Sequence, residues 1–225
     1  PWVRVKLAMS LDGRTALANG ESKWITGEAA RADVQRWRAR SSAILTGAGT
    51  ARADDPRLTV RLFSHPLTGG EGQNVVAPLR VVLDARLDAL PAQAHLLDGS
   101  ASTLVLHAPG VRPIDDRYAR VECVEAVTTA DGKHIDLESV LRLLALRGVN
   151  ELQVEAGPVL CGALFEQGLV DELLLYVAPT FLGDGARPLL HLPPLASMAH
   201  RQDWRVVDRR MLGPDQRLLL RPTAV

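Results

Sequence analysis

Segment 154–162 reads Val154-Glu155-Ala156-Gly157-Pro158-Val159-Leu160-Cys161-Gly162, an apolar strand that turns at a glycine into a helix. Backbone N–H groups at such a helix start can meet a phosphate, and Gly157 lets a ligand approach the main chain. A plain strand-to-helix turn explains the same residues, so both interpretations remain open here. Either one predicts an architecture in which strands and helices alternate.

The flanking sequence continues this alternation. Val3, Val5 and Leu7 alternate with basic residues and predict a first strand, and Thr26 is a plausible N-cap for a helix that runs to about Ala39. Similar patterns predict strands at 43–46, 79–84, 103–107, 151–155 and 172–178, helices at 137–147 and 158–168, a loop at 65–78, and a hairpin around 213–215. The predicted fold is therefore α/β, with a mainly parallel sheet, flanking helices and a C-terminal antiparallel hairpin.

Composition limits the protein class. The 225 residues show no repeat and no boundary, which predicts a single domain over 1–225. Acidic and basic residues number 26 each, so no net charge attracts nucleic acid or membrane. Two cysteines are too few for a disulfide scaffold or a four-ligand zinc site, and we predict no metal. The scarcity of cysteine favours a reducing cytoplasm. No apolar stretch approaches the ~20 residues that span a bilayer, so we expect a soluble protein.

Several other residues have a functional and an ordinary interpretation. The turn Thr46-Gly47-Ala48-Gly49-Thr50-Ala51 follows a strand, but Arg52 stands where a dinucleotide fingerprint needs a third glycine. Thr50 can be an N-cap, and Asp54 part of a turn. Lys6 shares a strand face with Arg4, which is typical of an exposed edge, and a tryptophan such as Trp24 is more often a core residue.

Missing motifs exclude several enzyme classes. The sequence has no H-x-E with P-C-x-x-C, no H-E-x-x-H, no G-x-S-x-G and no P-loop. Zinc deaminase, zinc protease, esterase and kinase machinery are therefore not visible.

The order of motifs resembles the riboflavin-biosynthesis reductase domain. The opening Val5-Lys6-Leu7-Ala8-Met9-Ser10-Leu11-Asp12-Gly13-Arg14 is similar to the start of that domain. Further similar motifs follow in order: Gly20 to Thr26, Ala53 to Pro56 with Leu58 to Arg61, Val154 to Pro158, Leu169 to Glu172, and Ala178-Pro179. The resemblance extends from about Val3 to the hairpin, and ordered motifs are more specific than any single one.

The resemblance implies a dihydrofolate-reductase-like fold and NADPH-dependent reduction of 5-amino-6-(5-phosphoribosylamino)uracil, a phosphorylated pyrimidine ribosylamine, to its ribitylamino form. It implies cofactor contacts at Ala8, Trp24, Thr50, Asp54, Ala85, Gly157, Pro158, Val159, Leu160, Cys161, Gly162 and Ala163. It implies substrate contacts at Ser22, Arg38, Leu58, Arg61 and Glu155. Family members often carry a zinc deaminase upstream, so we expect a fused N-terminal deaminase that this sequence lacks, and we expect a homodimer.

In the expected reaction, the main task of the protein is to align the nicotinamide with the sugar of the substrate. If the ribosylamine opens to an imine, hydride from nicotinamide reaches the sugar C1 carbon. Lys6 is our candidate for proton donation or for polarising the sugar oxygen, and Asp54 for orienting ribose or nicotinamide groups. Two alternatives remain: a reductase of the same fold for the undeaminated pyrimidine or dihydrofolate, and a nucleotide-binding module without catalysis.

Overall fold

The computed structural model describes residues 1–61 and 76–223. Within them the chain forms two compact units, one made of Pro1 and Gln35–Gly157, the other of Trp2–Val34 and Pro158–Val225. Helix α1 (Glu28–Arg40) contributes residues to both. The alternation of strands and helices confirms the predicted fold class. The prediction of a single reductase domain stays a prediction, and residues 65–75 of the predicted loop lie outside the described residues.

The first unit contains five parallel strands in the order β7-β3-β4-β5-β6. They are β3 (Ala43–Gly47), β4 (Leu79–Leu83), β5 (Thr103–His107), β6 (Glu122–Glu125) and β7 (Glu151–Val154). Two helices, α2 (Ala48–Asp54) and α3 (Leu137–Leu146), and two short 3-10 turns, His95–Leu97 and Asp116–Tyr118, complete it. β3 and β5 read as largely apolar runs because parallel strands are commonly covered on both faces.

Helix α3 shows why its ends were predictable. The Asp136 side chain accepts a hydrogen bond from the Ser139 N–H and caps the first turn. Val140 and Leu144 are buried, and Gly148 follows with φ +80°, a left-handed conformation that ends the helix.

One arginine of β4 is unexpectedly buried. Arg80 is 0% exposed and donates to the His95 carbonyl at 3.0 Å, to Asp98 Oδ1 at 3.2 Å and to the Ala101 carbonyl at 2.6 Å. These acceptors stabilise a charge that would be costly if unpaired. The arginine therefore ties the loop after the first 3-10 turn to the strand.

The second unit contains four strands in the order β10-β11-β8-β1. They are β1 (Trp2–Ser10), β8 (Glu172–Ala178), β10 (Trp204–Leu212) and β11 (Asp215–Pro222). β1 and β8 are parallel, whereas β11 is antiparallel to β8 and β10 and confirms the predicted hairpin. The unit also contains the short pair β2 (Arg14–Ala16) and β9 (Arg187–Pro188), helix α4 (Pro158–Glu166) and a 3-10 turn at Met198–His200.

Two expectations for this unit are wrong. Arg4 is not exposed: it is 2% accessible and its Nε donates to Glu172 Oε2 at 2.6 Å, because β8 places that carboxylate beside it. Thr26 is not the N-cap of α1, since the helix begins at Glu28, two residues later. Instead, the Thr26 carbonyl accepts a hydrogen bond from Arg31 Nη1 at 2.7 Å.

Candidate functional site

Three of the predicted site segments follow neighbouring parallel strands of the first unit. β3 leads into Thr50, β4 leads into Ala85, and β7 leads into Glu155 and Gly157. Since β7, β3 and β4 are adjacent and parallel, their carboxyl ends lie along one edge of this part of the sheet. Ligands of open α/β sheets bind at such carboxyl ends.

Arg38 and Glu155 form a buried ion pair at this edge. The Arg38 Nε and Nη2 atoms each donate to a different Glu155 oxygen at 2.7 Å. Both side chains are largely buried, at 11% and 13% exposure. Burial alone would lower the pKa of the Arg38 guanidinium, but the charge of Glu155 and its hydrogen bonds outweigh burial and raise that pKa. The structure therefore brings together two residues that were both predicted to contact substrate.

Gln153 joins this pair and was missed by the sequence reasoning. Its Nε2 donates to Glu155 Oε1 at 2.8 Å, and the residue is 0% exposed. A signal was available, because residues two apart on a strand share a face and Gln153 is polar within an apolar run. Both Arg38 and Gln153 thus help to orient the Glu155 carboxylate.

The segment after α2 is fixed at several points. Leu58 is 2% exposed, packs in the hydrophobic core of this unit, and has φ +48°, an uncommon value for leucine. The Thr59 carbonyl accepts from Arg38 Nη1 at 3.0 Å, and the Arg61 N–H donates to Gln35 Oε1 at 2.9 Å. The predicted substrate contact Leu58 therefore turns its side chain into the core, while the Arg61 side chain is exposed.

Thr50 and Gly157 lie side by side. A Cβ atom added to Gly157 would be 3.5 Å from Thr50 Oγ1, an ordinary contact. Thr50 is the third residue of α2, which begins after Gly47 without a side-chain cap, so it is not an N-cap. Asp54 is the exposed last residue of that helix. Two predicted cofactor residues are thus adjacent, and the backbone at Gly157 is not covered by a side chain of its own.

The loop after β4 carries a charged cluster. Asp84, which is 1% exposed, accepts from the Ala89 N–H at 2.9 Å and from the Tyr118 hydroxyl at 2.7 Å, and so anchors the loop. Exposed Asp88 bridges Arg52, at 3.0 Å, and Arg86, at 3.2 Å. The backbone carbonyl of Ala85 already accepts a hydrogen bond from Ala108 at 3.0 Å.

In the second unit, Lys6 and Ala8 lie on β1 opposite β8. Lys6 is half-buried, with Nζ 5.9 Å from the centre of the Tyr176 ring. Tyr176 is 1% exposed and its hydroxyl donates to Asp33 Oδ2 at 2.8 Å. Asp33 in turn accepts from Arg217 Nη1 at 3.1 Å. Burial of Arg4 on the same face contradicts the interpretation of this face as an exposed edge.

Ser22 and Trp24 lie in the turn before α1. Trp24 is 65% exposed and is not a core residue, because the turn projects it outward beneath the Arg31 guanidinium, 4.7 Å from the ring centre. Ser22 is half-buried, and its carbonyl accepts from the Ile25 N–H at 3.2 Å.

The predicted cofactor stretch divides along α4. Pro158 and Leu160 are half-buried and Val159 is 68% exposed, so the first turn is accessible, as is part of Ala163. Cys161 and Gly162 face the interior. A Cβ at Gly162 would be 2.1 Å from the His191 carbonyl oxygen, so this glycine is needed for a chain crossing.

Neither a cluster of metal ligands nor a membrane-spanning helix occurs among residues 1–61 and 76–223. In this part of the chain, no three His, Cys, Asp or Glu side chains are grouped so that they could hold a metal ion. The same residues include no helix long and apolar enough to cross a membrane.

Comparisons with known proteins agree with one another. The sequence profile of a family described as RibD C-terminal domain matches residues 1–215. The chain is 40% identical over 223 residues to the riboflavin biosynthesis protein RibD of Escherichia coli K12, covering 96% of this chain and 58% of that protein. It is 30% identical over 212 residues to a Buchnera aphidicola (subsp. Acyrthosiphon pisum) protein named 5-amino-6-(5-phosphoribosylamino)uracil reductase, covering 93% of this chain and 100% of that protein. The solved structure of Acinetobacter baumannii RibD, form 2, matches with a TM-score of 0.85 at 38% identity, covering 99% of this chain and 58% of that one.

Proposed function

This chain belongs to the family of RibD C-terminal domains, and from that membership we propose that it reduces 5-amino-6-(5-phosphoribosylamino)uracil to the ribitylamino product with NADPH. The chain spans only 58% of the length of its Escherichia coli relative. The structural observation that carries the proposal is the buried Arg38–Glu155 pair at the carboxyl end of β7. Both residues are among those that the resemblance to the family assigns to the substrate.

The proposed division of labour follows from residue chemistry. Glu155 presents carboxylate oxygens, which accept hydrogen bonds from the N–H groups of a pyrimidine. Arg61 offers exposed guanidinium donors to the substrate phosphate, with Arg38 as the partner that holds Glu155. Lys6 provides a proton or polarises the sugar oxygen, and Ser22 and the Leu58 backbone complete the substrate contacts.

A reduced nicotinamide cofactor supplies the hydride. The chain fits such a group at the Thr50–Gly157 contact, where the backbone is uncovered and a helix begins one residue later. The resemblance also supports cofactor contacts at Ala8, Trp24, Asp54, Ala85 and the stretch 157–163, with Asp54 orienting ribose or nicotinamide groups. Cys161 and Gly162 act there by shaping the helix rather than by exposed atoms.

The choice of NADPH over NADH rests on Arg52 and Arg86. Both guanidinium groups lie on Asp88 and more than half of each is exposed, so a 2′-phosphate could replace that carboxylate as their partner. Titration of each cofactor by calorimetry tests this assignment. Tighter binding of NADPH is expected, and equal affinities for NADPH and NADH would contradict this assignment.

Turnover assays with three candidate compounds test the proposed substrate. The purified chain is mixed with NADPH and, in turn, the deaminated phosphoribosylaminouracil, its undeaminated precursor, and dihydrofolate. We expect oxidation of NADPH with the first compound alone. Preference for either other compound would support a different reductase of this fold, and binding without single-turnover oxidation would support a non-catalytic nucleotide-binding module.

We also propose a cytoplasmic homodimer, in nature fused to an upstream zinc deaminase. In the strand order of the second unit β10 comes first, and it carries the exposed apolar residues Val206 and Met211. A monomeric mass by light scattering at micromolar concentration would contradict the dimer. The sequence upstream of Pro1 tests the fusion.

A further inference from the structure

The amide of Gln153 is buried with only one of its two ends satisfied. Its Nε2 donates to Glu155 at 2.8 Å, while its Oε1 is buried and accepts no hydrogen bond from any described residue. Rotating the amide does not help, because a carboxylate in an ion pair only accepts, so the nitrogen must face Glu155. The hydrogen bond that Gln153 donates to Glu155 therefore leaves the Gln153 side-chain carbonyl oxygen without a partner among the described residues.

A carbonyl oxygen buried in this way costs free energy of folding. A buried acceptor without a partner has lost its hydrogen bonds to water and gained none in the protein. A thioether side chain of similar length would fill the same space without that cost. Packing alone therefore does not account for an amide at this position of β7.

The contact supplies a link between Glu155 and its own strand. Arg38 donates to both carboxylate oxygens, but it reaches them from α1, and the other described hydrogen bond of its guanidinium group is to the Thr59 carbonyl. Gln153 lies on β7, where it is the register partner of Ile44 in β3. Its hydrogen bond therefore fixes the position of the Glu155 carboxylate relative to the sheet, whereas the bonds from Arg38 fix it relative to the helix.

We propose that Gln153 is a positioning residue that fixes the Glu155 carboxylate for recognition of the pyrimidine. The inference rests on the proposed function, because it takes Glu155 as a substrate contact. Gln153 acts through Glu155 and does not touch the reacting atoms. Its loss should therefore weaken substrate affinity and leave the hydride step nearly unchanged.

The test replaces Gln153 with Met and uses Thr46→Val as the matched control. Thr46, on neighbouring β3, is also 0% exposed with an orphaned hydroxyl, but no described hydrogen bond joins it to Glu155. Calorimetry without cofactor measures binding of 5-amino-6-(5-phosphoribosylamino)uracil, steady-state kinetics gives KM and kcat, and calorimetric melting gives Tm. Gln153→Met should bind about tenfold more weakly, with a matching rise in KM, a kcat close to wild type and a Tm no lower. Thr46→Val should keep both Tm and affinity.

The possible results distinguish a failure of the proposed function from a failure of the proposed role of Gln153. If wild type neither binds nor reduces the phosphoribosylaminouracil, the proposed function fails and the inference with it. If wild type does both, but Gln153→Met binds like wild type or Thr46→Val weakens binding equally, the inference alone is overturned. Gln153→Leu serves as a second variant without sulfur. A large drop in Tm for both Gln153 variants would show that the amide serves the fold, and would also overturn the inference.

Discussion

At the scale of single residues, Arg61 extends into solvent from a fixed backbone. The Arg61 N–H is held by Gln35 and the neighbouring Thr59 carbonyl by Arg38, so truncating the Arg61 side chain leaves the segment in place. Arg61→Ala should weaken substrate binding by about 1.5 to 3 kcal/mol, one to two decades in Kd, because a charge-assisted contact to phosphate is lost. Calorimetric titration of substrate and of NADPH checks this, and NADPH affinity should stay unchanged.

Arg57→Ala is the control for this change. Arg57 lies in the same segment and its side chain is half exposed, 3.8 Å from Asp98. It should keep substrate affinity. Equal losses in both variants would indicate a general charge effect, and a loss of NADPH binding in Arg61→Ala would place Arg61 at the cofactor instead.

Alanine substitutions at two glycines of the same motif should have different effects, one on NADPH binding and the other on stability. Gly157→Ala adds a methyl group that meets only Thr50 Oγ1 at 3.5 Å, so the variant should melt like wild type and bind NADPH more weakly. Gly162→Ala would bring a methyl group to 2.1 Å from the His191 carbonyl oxygen, so it should lower the Tm. Melting curves and NADPH titrations of both variants test the contrast. A Gly162→Ala protein as stable as wild type would contradict the chain crossing, and unchanged NADPH binding by Gly157→Ala would contradict its cofactor role.

At the scale of elements, Asp12 joins the turn after β1 to the segment that follows β8. Its carboxylate accepts hydrogen bonds from the Ser10 hydroxyl and from the N–H groups of Gly183, at 2.7 Å, and Leu182, at 3.1 Å. The Ser10 hydrogen bond, with the smaller contributions of these N–H groups, lowers the pKa of Asp12 from 3.8 to about 2. A lowered pKa means that the unfolded chain takes up this proton first as the pH falls.

The stabilisation by Asp12 should therefore be complete above about pH 4 and disappear as the pH falls towards 2. The Tm difference between wild type and Asp12→Asn, measured from pH 7 downward, should narrow over that interval. A difference that does not change with pH would show that the charge of Asp12 is irrelevant to the link.

Elements with local signals were predicted well. β5 and β8 have the predicted bounds, and α3 was found with both ends because Asp136 and Gly148 mark them in the sequence. β6 was missed, since its residues, exposed at both ends and half-buried in the middle, become a strand only through pairing with β5. The two-residue strand β9 likewise depends on β2, which lies far away in the sequence.

At the scale of the whole molecule, the site was predictable where glycine turns follow strands and was not predictable where distant side chains meet. Thr50 and Gly157 stand in such turns, and the structure places them side by side. The Arg38–Glu155 pair joins residues 117 positions apart, and no local pattern indicates that they share an ion pair. The orphaned amide of Gln153 is visible only once that pair is in place.

The four tryptophans of the chain differ sharply in their surroundings. Trp24 is 65% exposed and Trp2 is 38% exposed, whereas Trp37 is 9% exposed. Trp204 packs against Phe165 with the two ring planes tilted by 50°. Indole emission moves to shorter wavelength when water leaves the ring, so a cofactor seated on Trp24 would shift the long-wavelength part of the emission band to the blue. Trp24→Phe should abolish that shift, whereas Trp37→Phe should keep it. On the proposed assignment of Trp24 to the cofactor, the turn that projects this ring outward would make it an intrinsic optical reporter, which needs no dye and would respond to cofactor before any substrate is present.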